Sequence, residues 1–196
     1  MSPIDNSLWE IFLKAFLIEN IVIMRFIALC PFIGMSSNEN KSTGMGLAVI
    51  FVTVLATCVT FPFFHYILKP LELGFLQILV FILVIASLVQ LVEFFLKKNI
   101  PTLYKSMGIY LPLITVNCAI MAVVMENISN DFSLVQSLVY AVGVAMGFLL
   151  AMLLLAGIRR RIRISPIPEF LKGTPILFIC TCLLSMAFLG LAGLIK

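Results

Sequence analysis

The chain has 196 residues, 62% of them hydrophobic and 11% charged, with a net charge of +4 and a mean hydropathy of +1.19. Water-soluble domains are about 45–50% apolar and about 25% charged, so the composition excludes a self-contained soluble enzyme and a nucleic-acid reader. A bilayer-crossing helix takes roughly 20 apolar residues, which leaves room for about six or seven spans and short connections.

Six apolar segments, bounded by charge or by Pro and Gly, lie at about 8–34, 43–67, 74–96, 106–126, 133–157 and 174–195. Their continuity predicts helices, because barrel strands alternate polar and apolar residues over about 10 positions and helices satisfy their own backbone in lipid. The stretch Met1 to Leu8 carries Asp5 and no basic residue. It lacks the basic n-region of a cleavable signal, so the first segment is expected to be a retained span. That segment holds Glu19, Asn20 and Arg25, polar groups that are costly at membrane depth. Glu19 and Arg25 are not helical neighbours, so their partners are expected on other helices or subunits. Snorkelling to an interface is the alternative. The segment ends in Leu29-Cys30-Pro31-Phe32-Ile33-Gly34, where proline, with no amide donor, predicts a break or kink.

The second segment carries Gly44 and Gly46, suited to close helix packing. It also carries Cys58 beside Thr57 and Thr60, and His65 next to Tyr66 near its end, where interfacial anchoring is the default. The third, Phe75 to Leu96, is an unbroken apolar run with Gln90 and Glu93 near its end. The fourth contains Leu111-Pro112-Leu113-Ile114-Thr115-Val116-Asn117-Cys118, a second proline interruption with polar residues after it. The fifth has Gly143 and Gly147 at GxxxG spacing and is followed by Arg159, Arg160, Arg161 and Arg163, a topology determinant or a dock for anionic lipid or a soluble partner. In the last segment Cys180 and Cys182 are two apart, face different directions on a helix, and read as packing residues.

The odd-numbered connections carry Lys41; Lys97, Lys98 and Lys105; and Arg159, Arg160, Arg161, Arg163 and Lys172. The second connection has only Lys69, and the fourth carries Glu126 and Asp131. The odd connections are therefore expected to be cytoplasmic and both termini outside. The interrupted segments are the first of each three-helix half, about 1–98 and 99–196. Three spans per half make the second half enter from the opposite side, the logic of an inverted repeat with its site near the midplane. The fold class expected is an all-α integral membrane protein: six transmembrane helices as two inverted three-helix repeats, with broken first and fourth helices.

Five cysteines do not make a disulfide framework, and their default reading is as small buried hydrophobes. Cys30 and Cys118 stand apart because one lies at each interruption. Thiolates suit iron–sulfur clusters, zinc or copper(I). An ordinary two- or four-iron cluster takes four, so these two are half a set, the rest coming from a partner or from Cys58, Cys180 or Cys182. Unreactive packing remains the alternative.

Cys30-Pro31-Phe32-Ile33-Gly34, Gly44-Met45-Gly46-Leu47-Ala48, Leu111 to Ala119, Ala156-Gly157-Ile158-Arg159, Pro168, Gly173 and the ending Gly193-Leu194-Ile195-Lys196 together resemble the RnfA/NqrE/RnfE/NqrD family of membrane subunits over nearly the whole chain. The cysteine wording and Arg25 are RnfA-like, whereas Glu19 beside Asn20 is more NqrE-like. The resemblance implies a subunit of the Rnf electron-transport complex, a ferredoxin:NAD oxidoreductase coupled to sodium or proton translocation in a bacterial or archaeal cytoplasmic (inner) membrane. It implies that Cys30 and Cys118 bind iron of an intramembrane [2Fe–2S] cluster completed by two cysteines of a homologous RnfE-like subunit. It also implies RnfB, RnfC, RnfD and RnfG as further partners, and no activity for the chain alone. A change of cluster charge in a low dielectric would favour a different helix packing and so gate an ion path. With no glycine-rich nucleotide signature, neither flavin nor NAD is expected on this chain. The alternatives are an NqrE-like subunit of a sodium-pumping quinone reductase and a secondary transporter with inverted repeats.

Overall fold

A computed structural model describes residues 8–18, 20–36, 39–68, 77–99, 117–130, 132–166 and 168–194. Every regular element among them is helical. The first segment comprises α1 (Leu8–Leu13), a π-helical turn π1 (Lys14–Ile18), α2 (Ile21–Arg25) and α3 (Leu29–Met35). Next come α4 (Glu39–Phe63), continued by a second π-helical turn π2 (Phe64–Leu68), and α5 (Gln77–Asn99). The remainder is α6 (Cys118–Ser129), α7 (Leu134–Ile164), a short 3₁₀ turn (Glu169–Leu171) and α8 (Thr174–Leu194). Helices thus occupy the described parts of all six apolar segments. Leu111 to Val116, including Pro112, lie outside the described residues, as do Glu19, Lys69, Lys105 and Asp131.

The 31 residues of α7 rise about 46 Å at 1.5 Å each, more than the roughly 30 Å of a hydrocarbon core. The stretches Leu134–Ile164 and Ser42–Tyr66 are both long and apolar enough to cross a membrane. Helix α7 is the central post. Helix α4 packs along it most extensively and in the opposite direction, since Gly46 lies so close to Leu149 that a Cβ would collide with that side chain while Thr57 and Thr60 share a cavity with Ser137. The first segment runs beside α7 in the same direction. A Cβ at Gly143 would stand 3.0 Å from Ala15 Cβ, and one at Gly147 would stand 3.0 Å from the Phe16 carbonyl oxygen. The GxxxG spacing is therefore used for close backbone approach.

Phe32, Met45, Phe81, Ile120, Phe148, Met152 and Leu155 form the main core. Ile11, Ala15, Ile21, Val123 and Ala141 belong to a second cluster. Large apolar side chains also point outward, among them Leu83, Leu91 and Phe94 of α5 and Leu183 and Met186 of α8. A surface of that kind suits lipid or other subunits rather than water.

Four expectations need correction. The break in the first segment is not at Pro31. Phe26 (φ 54°) and Ala28 (φ 67°) adopt left-handed conformations between α2 and α3, each costing about 1–3 kcal/mol in a residue with a Cβ. Pro31 sits in the first turn of α3, where a missing N–H is not needed. The arginine run is not in a connection: α7 continues through it to Ile164, since arginine is a good helix former, and ends ahead of Pro166, which disfavours helix in the residue before it. Glu126 likewise lies inside α6. Finally, none of the five cysteines is buried: Cys180 is half-buried and the other four are exposed, because their helices turn those faces away from the core.

Candidate functional site

Two short helices in different halves begin in the same way. Asn20 (φ −62°, ψ 106°) caps α2, its side-chain oxygen accepting from the Val22 N–H at 3.2 Å. Asn117 (φ −70°, ψ 112°) caps α6, its oxygen accepting from the Ala119 N–H at 3.0 Å. Asparagine serves here because it satisfies an amide that has no partner in the first helical turn. The match extends to sequence: Asn20-Ile21-Val22-Ile23-Met24 and Asn117-Cys118-Ala119-Ile120-Met121 share Asn-x-x-Ile-Met. That shared pentad is a local likeness that a search for polar residues alone passes over. In its register Cys118 aligns with Ile21 rather than with Cys30. The two thiols therefore occupy different local settings: Cys118 opens α6 directly after its cap, and Cys30 lies just beyond the left-handed pair at 26–28.

Both thiols are exposed on the chain. Cys58 is on α4 and Cys180 and Cys182 on α8. Among the described residues no three His, Cys, Asp or Glu side chains gather at one point.

The cysteine-bearing elements are braced from three sides. Arg25, five residues before Cys30, donates to both carboxylate oxygens of Glu126 on α6, at 2.5 and 3.0 Å. This forked pairing restricts orientation as well as distance. It supplies Arg25 with the partner on another helix that its position required, and 101 residues separate the two. Asn20 is buried, and its amide nitrogen donates to the Gly147 carbonyl of α7 at 2.8 Å. Arg159 of α7 donates to the Ile33 carbonyl and to Ser36 Oγ, both at 3.0 Å. It thereby places a cation on the C-terminal end of α3, where the helix dipole favours one.

A cavity of about 330 Å³ lies between α4, α6 and the start of α7, bounded by Thr57, Thr60, His65, Asn127, Phe132 and Ser137. Thr60 Oγ1, both amide atoms of Asn127 and Ser137 Oγ are buried without a hydrogen-bond partner among the described residues. A polar cavity of this size is roomy enough for water. Sequence reasoning passes over these three residues as candidates for chemistry, because isolated Thr, Asn and Ser in apolar runs carry no pattern.

Comparison with known proteins gives a consistent result. The family model described as "Rnf-Nqr subunit, membrane protein" matches residues 8–195. The chain is 49% identical over 190 residues, 97% of its length and 98% of the relative's, to the A-type subunit of the "Ion-translocating oxidoreductase complex" of Syntrophotalea carbinolica. It is 46% identical over 184 residues, 94% of its length and 96% of the relative's, to the A-type subunit of the "Na(+)-translocating ferredoxin:NAD(+) oxidoreductase complex" of Acetobacterium woodii. It is 42% identical over 190 residues, 97% and 98% of the two lengths, to the A-type subunit of the "Proton-translocating ferredoxin:NAD(+) oxidoreductase complex" of Clostridium ljungdahlii.

Proposed function

The chain belongs to the Rnf-Nqr family of membrane subunits, and from that premise we propose that it is the RnfA-like subunit of a redox-driven, ion-translocating ferredoxin:NAD oxidoreductase in a cytoplasmic membrane. Its six segments then cross the bilayer as two three-helix halves of opposite orientation with both termini outside. The repeated Asn cap with its shared Ile-Met and the basic residues gathered at the C-terminal ends of α5 and α7 support this arrangement.

In this reading Cys30 and Cys118 hold iron of a [2Fe–2S] cluster, and an RnfE-like subunit contributes the other two thiolates. The observation that carries it is the exposure of both thiols, each in the first turn of a helix. The donor set fits: thiolate is the ordinary ligand of such clusters, and four are required. Among the described residues no three His, Cys, Asp or Glu side chains gather at one point, and in this reading a neighbouring subunit completes the set. When bound, the group supplies one-electron transfer across the interior of the membrane.

This chain's own residues hold the thiols. Asn117 orders the first turn of α6, Arg25 and Glu126 tie the first segment to α6, and Arg159 anchors the far end of α3. Preorganisation of this kind keeps ligands in place when the charge of the site changes. RnfB, RnfC, RnfD and RnfG complete the complex. The coupling ion is sodium or proton, since relatives of both descriptions are similar to this chain along almost its whole length.

The test is co-expression with the RnfE-like partner, followed by iron analysis and electron paramagnetic resonance of the purified pair. Stoichiometric iron and a reduced-state signal are expected. Cys30→Ser and Cys118→Ser should each abolish the signal while the chain still inserts, and Cys58→Ser should leave it intact. A signal that survives both substitutions refutes the ligand assignment. Substrate flux by the chain alone, without iron, would favour a secondary transporter instead.

A further inference from the structure

At the end of α7 that carries the arginines, a second cavity of about 320 Å³ opens between α7 and the start of α8. Arg159, Arg163 and Lys172 line it, together with Ser165 and Gly173, and Ile176 and Leu177 form part of its apolar wall. Gly173 has φ +102°, a left-handed conformation that suits glycine. It delivers the chain into Thr174 and Pro175 at the start of α8. A 21-residue helix therefore starts beside a cavity that already has three cationic side chains. Helix N-termini favour anions, and arginine forks match phosphate oxygens.

We propose that this cavity binds the phosphodiester headgroup of an anionic phospholipid. Phosphate chemistry follows from the three cations and the helix start. The lipid source follows from the apolar surroundings: Ile164 and Phe170, between Arg163 and Lys172 in the chain, are 76% and 80% exposed. Apolar groups alternate here with cations at the end of a helix long enough to cross a membrane, a pattern that suits the headgroup–acyl boundary and the basic pockets between helices that hold anionic lipids. Lys172 also lies 3.9 Å from the fully solvated Glu169, a contact weak enough for a phosphate to replace. Arg159 belongs both to the cavity wall and to the cap on α3. A bound headgroup therefore adds an anion next to the arginine that anchors the Cys30-bearing helix. The site does not depend on the cluster assignment.

Native mass spectrometry of the detergent-purified full chain, titrated with phosphatidylglycerol, phosphatidylcholine or inorganic phosphate, tests the proposal. Phosphatidylglycerol should bind and outlast phosphatidylcholine at equal concentration, with inorganic phosphate failing to displace it. Arg163→Gln and Lys172→Gln should each weaken phosphatidylglycerol binding about fivefold, the effect of one cation near an anionic surface, and together about 25-fold. Lys172→Arg should retain binding, and unchanged circular dichroism in each variant separates loss of the site from loss of the fold. Equal binding of the two lipids, affinity unchanged in the double variant, or displacement by inorganic phosphate at matched concentration would each overturn it. Iron content of the co-expressed pair is read in parallel, so failure here is distinguishable from failure of the cluster assignment.

Discussion

Replacing each capping asparagine by serine separates two jobs that Asn20 combines and Asn117 does not. Serine keeps an oxygen that caps the next turn but loses the amide. At position 20 that amide donates to the Gly147 carbonyl at 2.8 Å from a residue only 1% exposed. At position 117 the amide nitrogen is buried without a partner among the described residues. Hydrogen bonds between helices in membranes average about 0.6 kcal/mol, so Asn20→Ser should cost about that much. Asn117→Ser should cost nothing measurable, because it removes a buried donor that makes no bond there. Asn20→Ala loses the cap as well, a further loss of about 1 kcal/mol, for a total near 1.5 kcal/mol, close to a tenfold change in the unfolding equilibrium. Reversible unfolding of the purified chain in mixed detergent micelles, followed by far-ultraviolet circular dichroism, measures all three. Equal losses for serine at 20 and at 117 would refute the distinction, since both substitutions leave the same space behind.

Gly147→Ala should destabilise by about 1–3 kcal/mol in the same assay, because its Cβ would stand 3.0 Å from the Phe16 backbone oxygen. Gly157→Ala on the same helix, with nothing within 4 Å, should stabilise by about 0.5–1 kcal/mol through helix propensity. Arg25→Gln and Glu126→Gln should each cost up to about 1 kcal/mol, and a double-mutant cycle should recover a coupling between them; strict additivity would mean that the pair does not act as a brace. Arg159→Met should raise amide hydrogen exchange at Phe32 to Ser36 about tenfold, the effect of losing about 1.4 kcal/mol of local stability. Arg161→Met should leave those amides unchanged.

Much of the site is legible without a structure, for identifiable reasons. Arg25 is expensive in lipid, so a distant partner could be expected. That the partner is Glu126 could not, because the latter reads as a connection residue until α6 is seen to extend through it. The interruption near Cys30 is legible as an interruption, but Pro31 points to the wrong place for it. Left-handed backbone at Phe26 and Ala28 leaves no mark in composition, since neither is glycine. The repeated Asn-x-x-Ile-Met is visible in both halves, but it gains meaning only when both asparagines prove to be caps.

The amino-acid order by itself determined that the chain is an apolar, helical membrane protein, that Gly143 and Gly147 are spaced for close helix packing, and which family it resembles. These follow from hydrophobic runs, local spacing and charge, which act over a few residues. Tertiary structure alone decided which side chains meet across 101 residues as Arg25 and Glu126 do, and that Asn20 reaches Gly147. It also decided that Cys30 and Cys118 face outward and that Arg159 serves α3 from α7. Those outcomes depend on how helices rotate and pack about α7, a sum of many weak contacts that no single stretch of sequence encodes.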